Sequence, residues 1–262
     1  MDKKLLTSII VIVLFVGAFF AINKFMYNKE QNNITNAQTL DGEMEIIPIE
    51  HATMVLKWSD KIIYIDPVGG AIAFSNQPAP DIILLTHTHN DHLSVKTLEA
   101  VSKNKTLIIA PMAVADMVPN TVPGTLLVAK NGQKTNQQGF KIEVIPAYNL
   151  ATSKNSYHKK GEGNGYVLEV NSKRVYISGD TDNIPEVRSL ENIDVAFISM
   201  NLPYTMSVEK AVEAVLQFKP KQVYPYHYKT STGFSEVAKF KEIVNSKDPA
   251  IEVVQLDWYP KS

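Results

Sequence analysis

The chain has 262 residues, 45% of them hydrophobic and 20% charged, with a formal net charge of −1 at pH 7. That is the make-up of an ordinary globular protein and lacks the basic excess of a nucleic-acid binder, so no nucleic-acid partner is expected. There is no cysteine, which excludes a disulfide framework, a zinc ribbon and a thiol nucleophile. In chain order, Met1-Asp2-Lys3-Lys4 precedes an uncharged, almost wholly apolar run from Leu5 to Ile22. As a helix rising about 1.5 Å per residue, that run would be ~27 Å long, enough for a bilayer core. The flanking lysines favour a cytoplasmic N-terminus. The expectation is therefore a single-pass membrane anchor over 1–27, with the remaining chain extracytoplasmic. Secretion after cleavage is the alternative, although Ala18 and Ala21 have the wrong spacing for a cleavage site. Residues 28–42, rich in Asn and Gln, read as a flexible linker, which leaves 43–262 as the folded domain.

Within that domain, Met44 to Pro48, His51 to Trp58 and Ile62 to Ile65 read as strands, the last two joined by a hairpin at Ser59-Asp60-Lys61. Asp66-Pro67 closes the third strand. The run Asp81 to Thr86 is a further strand, Ser94 N-caps a helix to about Ser102, Thr106 to Ala110 is a strand, and Pro111 to Met117 is a short helix. Strands Leu126 to Ala129 and Phe140 to Ile145 flank a turn at Asn131-Gly132, and 147–164 is a long polar loop. The second half repeats the plan. A hairpin (Gly165 to Val170, Arg174 to Ser178) is followed by a short helix at Pro185 to Leu190, a strand Val195 to Ser199 and a helix Val208 to Phe218. A strand Gln222 to Tyr226, a helix Ser235 to Val244 and a strand Ile251 to Leu256 complete the chain. Strands followed by alternating helix and strand predict an α/β domain, a mixed sheet covered by helices.

The chemistry concentrates at Thr86-His87-Thr88-His89-Asn90-Asp91-His92, directly after the apolar run Ile82 to Leu85. Side chains at i and i+2 of an extended segment share a face, so His87 and His89 can point together, and a turn would bring Asp91 and His92 to the same place. Three imidazoles and a carboxylate suit zinc or a pair of borderline divalent metals. Asp180, in Gly179-Asp180-Thr181-Asp182, and His227 each close a later apolar strand, where ligands gather in sheets of this kind.

This combination of His-x-His-x-Asp-His, a distant Gly-Asp and a distant His resembles the metallo-β-lactamase superfamily over residues 44–259. The stretches Pro146-Ala147-Tyr148-Asn149, His158-x-Lys-Gly, Gly179 to Asp182 and Pro225-Tyr226-His227-Tyr228 resemble its branch of ascorbate-6-phosphate lactonase-like and N-acylphosphatidylethanolamine phospholipase D-like proteins. The resemblance implies a four-layer αββα sandwich, here with an N-terminal transmembrane helix in front of it. It also implies two divalent metal ions, zinc with manganese or iron as alternatives. His87 and His89 would bind the first ion, Asp91, His92 and His227 the second, and Asp180 both. The family usually supplies one more histidine before the bridging aspartate, and here that place reads Tyr148-Asn149. Either Asn149 is a weaker oxygen ligand, or His158 reaches in from the long loop, or the first site is weak. His51 resembles the family's early His-Ala-Ser/Thr motif and either supports the site or is buried against the sheet.

The implied activity is that of a membrane-anchored metal-dependent hydrolase. A metal lowers the pKa of bound water to near neutrality, so a small-molecule or lipid-derived ester, lactone or phosphoester could be attacked without a nucleophilic side chain. Asp91 would orient the nucleophile. Lys159, Lys160 and the glycines beside them could receive an anionic group, and Tyr204 could line the pocket. A phospholipid phosphodiesterase and a non-catalytic sensor or binding module on the same fold are the alternative readings.

Overall fold

Alternate residues of the central strands are apolar on both faces. In Thr53–Trp58, Met54, Leu56 and Trp58 enter one buried cluster while Val55 enters another. In Val195–Ser199, Val195 and Phe197 share the first of those clusters while Ala196 and Ile198 enter a third. A strand that is apolar on both sides must be covered on both sides, and this dictates the layers. The computed structural model describes residues 38–40, 43–150 and 157–260. The chain divides after Asn36, and every described residue belongs to the unit 37–262.

The first sheet runs in chain order: β1 (Gln38–Leu40), β2 (Met44–Glu50), β3 (Thr53–Trp58), β4 (Lys61–Ile65), β5 (Ile82–Leu84), β6 (Leu107–Ala110) and β7 (Thr125–Val128). β1 to β4 pair antiparallel and β4 to β7 parallel. Helices α1 (Gly70–Ala73), α2 (Val95–Val101) and α3 (Met112–Ala115) belong to this half. The second sheet comprises β8 (Lys134–Gln137), β9 (Phe140–Ala147), β10 (Gly163–Val170), β11 (Lys173–Ile177), β12 (Val195–Ser199), β13 (Gln222–Tyr226) and β16 (Glu252–Val253), in the spatial order β16-β13-β12-β11-β10-β9-β8. Its helices are α4 (Pro185–Arg188), α5 (Val208–Phe218) and α6 (Val237–Lys247), and a small separate hairpin pairs β14 (Lys229–Thr230) with β15 (Gly233–Phe234).

Between the sheets lie Leu56, Ile63 and Leu84 from one side and Phe140, Leu168, Phe197 and Tyr226 from the other. On the outer face of the first sheet, Val55, Tyr64 and Ile83 pack with Leu98 and Val101 of α2 and Val114 of α3. On the outer face of the second, Val167, Tyr176 and Ile198 pack with Val212 and Val215 of α5 and Phe240 of α6. The result is the expected αββα sandwich.

The expected fold class needs one correction. The N-terminal transmembrane helix assigned to Leu5–Ile22 lies outside the described residues, and among the described residues no helix is long and apolar enough to cross a membrane. The longest, α5 and α6, have 11 residues each, about 16 Å of helix against a ~30 Å bilayer core, and each has a polar face. Two smaller differences concern the edges. Gln38–Leu40, placed by sequence in the linker, pairs with Met44 to Ile46 as an edge strand. Asn131-Gly132 does not join two paired strands: β7 and β9 lie in different sheets, and β9 pairs instead with β8, whose Lys-Thr-Asn-Gln sequence carries no apolar signal.

Candidate metal centre

The site gathers where several strands end on one rim of the sandwich. β5 runs out into Thr86 and the histidine motif, β11 into Ser178-Gly179-Asp180, β13 into His227 and the β2–β3 turn into His51. Gly179 has φ +58°, and a Cβ there would stand 3.0 Å from the Asn164 carbonyl oxygen and 3.1 Å from Thr86 Cβ. Only glycine brings the β11 terminus that close to the histidine strand. Its N–H donates to the hydroxyl of buried Tyr226 at 3.0 Å, fixing the approach of Asp180. His51 (φ 58°) and His227 (φ 47°) also occupy left-handed backbone, and the His227 N–H donates to the His51 carbonyl at 3.3 Å. Such conformations cost a non-glycine residue about 1–3 kcal/mol each, so the surrounding packing must impose them.

Asp180 sits at the middle. Its Oδ2 lies 3.3 Å from His158 Nε2 and 4.0 Å from His87 Nε2. Its Oδ1 lies 3.3 Å from His227 Nε2 and 3.5 Å from His92 Nε2. On the first side His87 Nε2 is 3.2 Å from His89 Nδ1, and the His158 ring lies 4.9 Å from that of His87 and 4.8 Å from that of His89. On the other, His92 Nε2 and His227 Nε2 are 3.0 Å apart, with Asp91 Oδ2 at 3.7 Å and 3.5 Å from them. Among the described residues, three groups have their donor atoms mutually within 4.8 Å: His87, His89 and His158; His87, His92 and Asp180; and His51, Asp91 and His227.

Two of those imidazoles, His87 and His92, are aimed by a residue that the motif does not include. Asp66, fully buried at the end of β4, accepts the Thr86 N–H at 2.8 Å, the Thr86 hydroxyl at 2.6 Å and His92 Nδ1 at 2.7 Å. Because the Thr86 proton is committed to Asp66, His87 Nδ1, 3.0 Å away, donates to the Thr86 oxygen. Both rings therefore commit Nδ1 to an outer acceptor and turn Nε2 inward as the nitrogen available to a metal. The sequence does carry a signal: a lone aspartate closes an apolar strand before Pro67. Asn201, with its amide nitrogen 3.1 Å from His227 Nδ1, and Tyr259, with its hydroxyl 2.6 Å from His51 Nδ1, were also not singled out, and their surroundings in the sequence offer no pattern that would mark them.

The electrostatics follow from crowding. Burial and the neighbouring His92 hold His87 well below the usual imidazole pKa. Burial opposes ionisation of Asp180, yet His227 and His92 beside it keep its carboxyl far below the ordinary range. Burial likewise works against a charged His227, but Asp180 and Asp91 outweigh it and lift the ring to about 9. A buried carboxylate oxygen without a hydrogen-bond partner, Asp180 Oδ1, faces bare or contested imidazole nitrogens. A cation satisfies such a set; protons satisfy it only in part. The nitrogen and oxygen donors fit zinc, manganese or iron.

Of the sequence candidates, His87, His89, Asp91, His92, Asp180 and His227 are all brought together. His158 joins them from the long loop. Asn149 is not placed as a ligand, because its Oδ1 already accepts three N–H groups, those of Tyr157 N, His158 N and His158 Nδ1. His51 stands beside the centre, with Nε2 3.1 Å from Asp91 Oδ2. Lys159 and Lys160 turn away into pairs with Glu162 and Glu186, whereas Tyr204 lines a cleft of roughly 740 Å³ over the centre. That cleft also holds His89, half-exposed Asp91, Tyr157 and Lys229.

A family profile described as "Beta-lactamase superfamily domain" matches residues 45–227. A UPF0173 metal-dependent hydrolase of Lysinibacillus sphaericus is 32% identical over 197 residues, covering 71% of this chain and 86% of that protein. One from Thermococcus onnurineus is 29% identical over 210 residues, covering 77% and 92%. Among solved structures, a Parabacteroides distasonis protein assigned as a metal-dependent hydrolase superposes with a TM-score of 0.74 at 36% identity, over 85% of this chain and 98% of that one. A metallo hydrolase of Ignicoccus hospitalis shares the fold, with a TM-score of 0.69 at 21% identity over 83% and 96%. The family match begins in β2 and ends on His227, so it takes in every strand end that feeds the histidine cluster, and this chain belongs to the beta-lactamase superfamily as a metal-dependent hydrolase.

Proposed function

We propose that the chain hydrolyses an ester, lactone or phosphoester bond of a small molecule bound in the cleft above two divalent metal ions. His87, His89 and His158 would hold one ion, Asp91, His92 and His227 the other, and Asp180 both. The observation that carries this reading is the disposition of Asp180, whose two oxygens face two different sets of imidazole nitrogens at 3.3–4.0 Å. Bound metals supply water activation at neutral pH and polarise the attacked group. The protein's own groups do the rest. Asp91, half-exposed at the floor of the cleft and held by His51, is placed to orient the attacking water. His51 is in turn anchored by the Tyr259 hydroxyl, which fixes the carboxylate from behind. Tyr157 and Tyr204, with rings 4.8 Å apart, form one wall against which the scissile group can be positioned. Lys229, on the opposite hairpin, offers a positive charge to an acidic substrate.

The test is a panel of ester, lactone and phosphoester substrates assayed with zinc-, manganese- and iron-loaded protein, together with elemental analysis. About two metal ions per chain and an activity that Asp91→Ala lowers by at least 100-fold are expected. No bound metal after dialysis against all three ions, or full activity in Asp91→Ala, would sink the reading.

A further inference from the structure

We propose that Asn149 is a positioning residue that holds His158 in the first metal cluster, so that this chain builds its third imidazole from a loop gripped by an asparagine rather than from the strand end itself. The inference rests on the reading above that His158 is a metal ligand.

Asn149 is buried directly behind β9, where the chain leaves the second sheet. Its Oδ1 accepts Tyr157 N at 2.9 Å, His158 N at 2.9 Å and His158 Nδ1 at 3.1 Å. Its backbone N–H donates to the His158 carbonyl at 2.9 Å. Its Nδ2 donates to the Tyr204 carbonyl at 2.9 Å, which ties the same residue to the cleft wall. An amide oxygen has two lone pairs. Three incoming donors saturate it, and the saturation that disqualifies Asn149 as a ligand makes it a clamp.

The clamp acts on the ring's orientation as well as its position. With Nδ1 held on the Asn149 oxygen, Nε2 is the ring atom that His158 turns inward, 3.3 Å from Asp180 Oδ2. Asn149 thus does for His158 what Asp66 does for His92. His158 lies outside any helix or strand, between β9 and β10. Outer hydrogen bonds of this kind commonly change metal affinity by about 10–100-fold when removed.

The experiment is a zinc titration of the full chain against a competing chromophoric chelator, for the parent protein and for Asn149→Ala, Asn149→Asp and His158→Ala. The visible spectrum of the cobalt-loaded proteins is recorded as a second readout. Asn149→Ala should weaken one of the two zinc ions about 10–100-fold and leave the other unchanged. Asn149→Asp, which keeps the three accepted bonds but gives up the bond donated to the Tyr204 carbonyl, should restore part of that loss. His158→Ala should lose the same ion and perturb the same cobalt bands. If His158→Ala loses one zinc while Asn149→Ala binds both as the parent does, the clamp is wrong and the ligand assignment stands. If His158→Ala itself keeps both ions at parental affinity, the underlying reading fails and the clamp with it. An Asn149→Ala protein in which both ions weaken equally, with a lowered melting temperature in chelator and no recovery in Asn149→Asp, would reduce Asn149 to a general structural residue and overturn the proposal.

Discussion

At the scale of single residues, Asp66 has the most work and the least visibility. One carboxylate, fully buried, fixes the backbone of Thr86, the Thr86 hydroxyl and the His92 ring, and through Thr86 it sets the His87 tautomer. Asp66→Asn keeps the volume but replaces one acceptor oxygen with a donor, so either the Thr86 or the His92 bond must fail. Zinc affinity at the His92 side of the centre should drop by about 10–100-fold in a chelator-competition titration. The metal-free variant should lose about 1–3 kcal/mol in urea unfolding, the cost of a buried group left unsatisfied. His227 gives a prediction about pH. Its pKa in the folded, metal-free chain is raised to about 9 by Asp180 and Asp91 against the opposing effect of burial. A raised folded pKa means that the charged ring stabilises the metal-free fold fully below the unfolded value near 6.5, and that this contribution disappears as pH rises through about 9. A metal needs the same ring without its proton. The rise in melting temperature produced by saturating zinc should therefore grow between pH 6.5 and pH 9; a gain that shrinks over that interval would contradict this account.

At the scale of elements, the two capped helices offer direct tests. Ser94 Oγ accepts from Thr97 N at 3.3 Å at the start of α2, and Ser207 Oγ from Lys210 N at 3.3 Å at the start of α5. Replacing either serine with alanine should cost about 1 kcal/mol in urea unfolding. These helices were also the ones the sequence showed best. The period of Val208, Ala211, Val212 and Val215 identifies α5 with the bounds the structure gives it, because that face is buried against the second sheet and the opposite face is not. The central strands were legible for a related reason, since burial on both faces leaves unbroken apolar runs such as Ile82 to Leu85. Edge elements were not. β1 and β8 are short and mostly polar; β8 is held by pairing, and β1 by pairing together with the single buried side chain of Leu40. In the site, the close-spaced histidines and the aspartate and histidine at strand ends could be picked out from residue type and position. The choice among Asn149, His158 and an incomplete first cluster could not, because it depends on which atoms of a polar loop meet in space. The two lysines offered as an anion site show the same limit. Their charges pair with Glu162 and Glu186, and only the fold reveals that Glu186 is within reach.

At the scale of the whole molecule, each sheet is spun from one continuous half of the chain, 38–128 and 134–253, and the sheets meet through one apolar layer. Metals bound at the rim therefore add to the stability of the sandwich as a unit. At metal concentrations about 100 times the dissociation constant, binding adds about 2.7 kcal/mol, or roughly 5–10 °C in melting temperature for a domain of this size. Removing the metal with a chelator should lower the melting temperature by that amount in a single transition; two separated transitions would show that the halves melt independently. Each of the three clusters of potential metal donors draws on both halves: His87 and His89 with His158, His87 and His92 with Asp180, and His51 and Asp91 with His227. If the chain were cut in the crossover near Asn131, the two fragments would be complementary parts, neither carrying a complete cluster. Their reassembly would be gated by divalent ions, and the hydrolase would become a two-piece reporter whose dimerisation reads the free metal concentration.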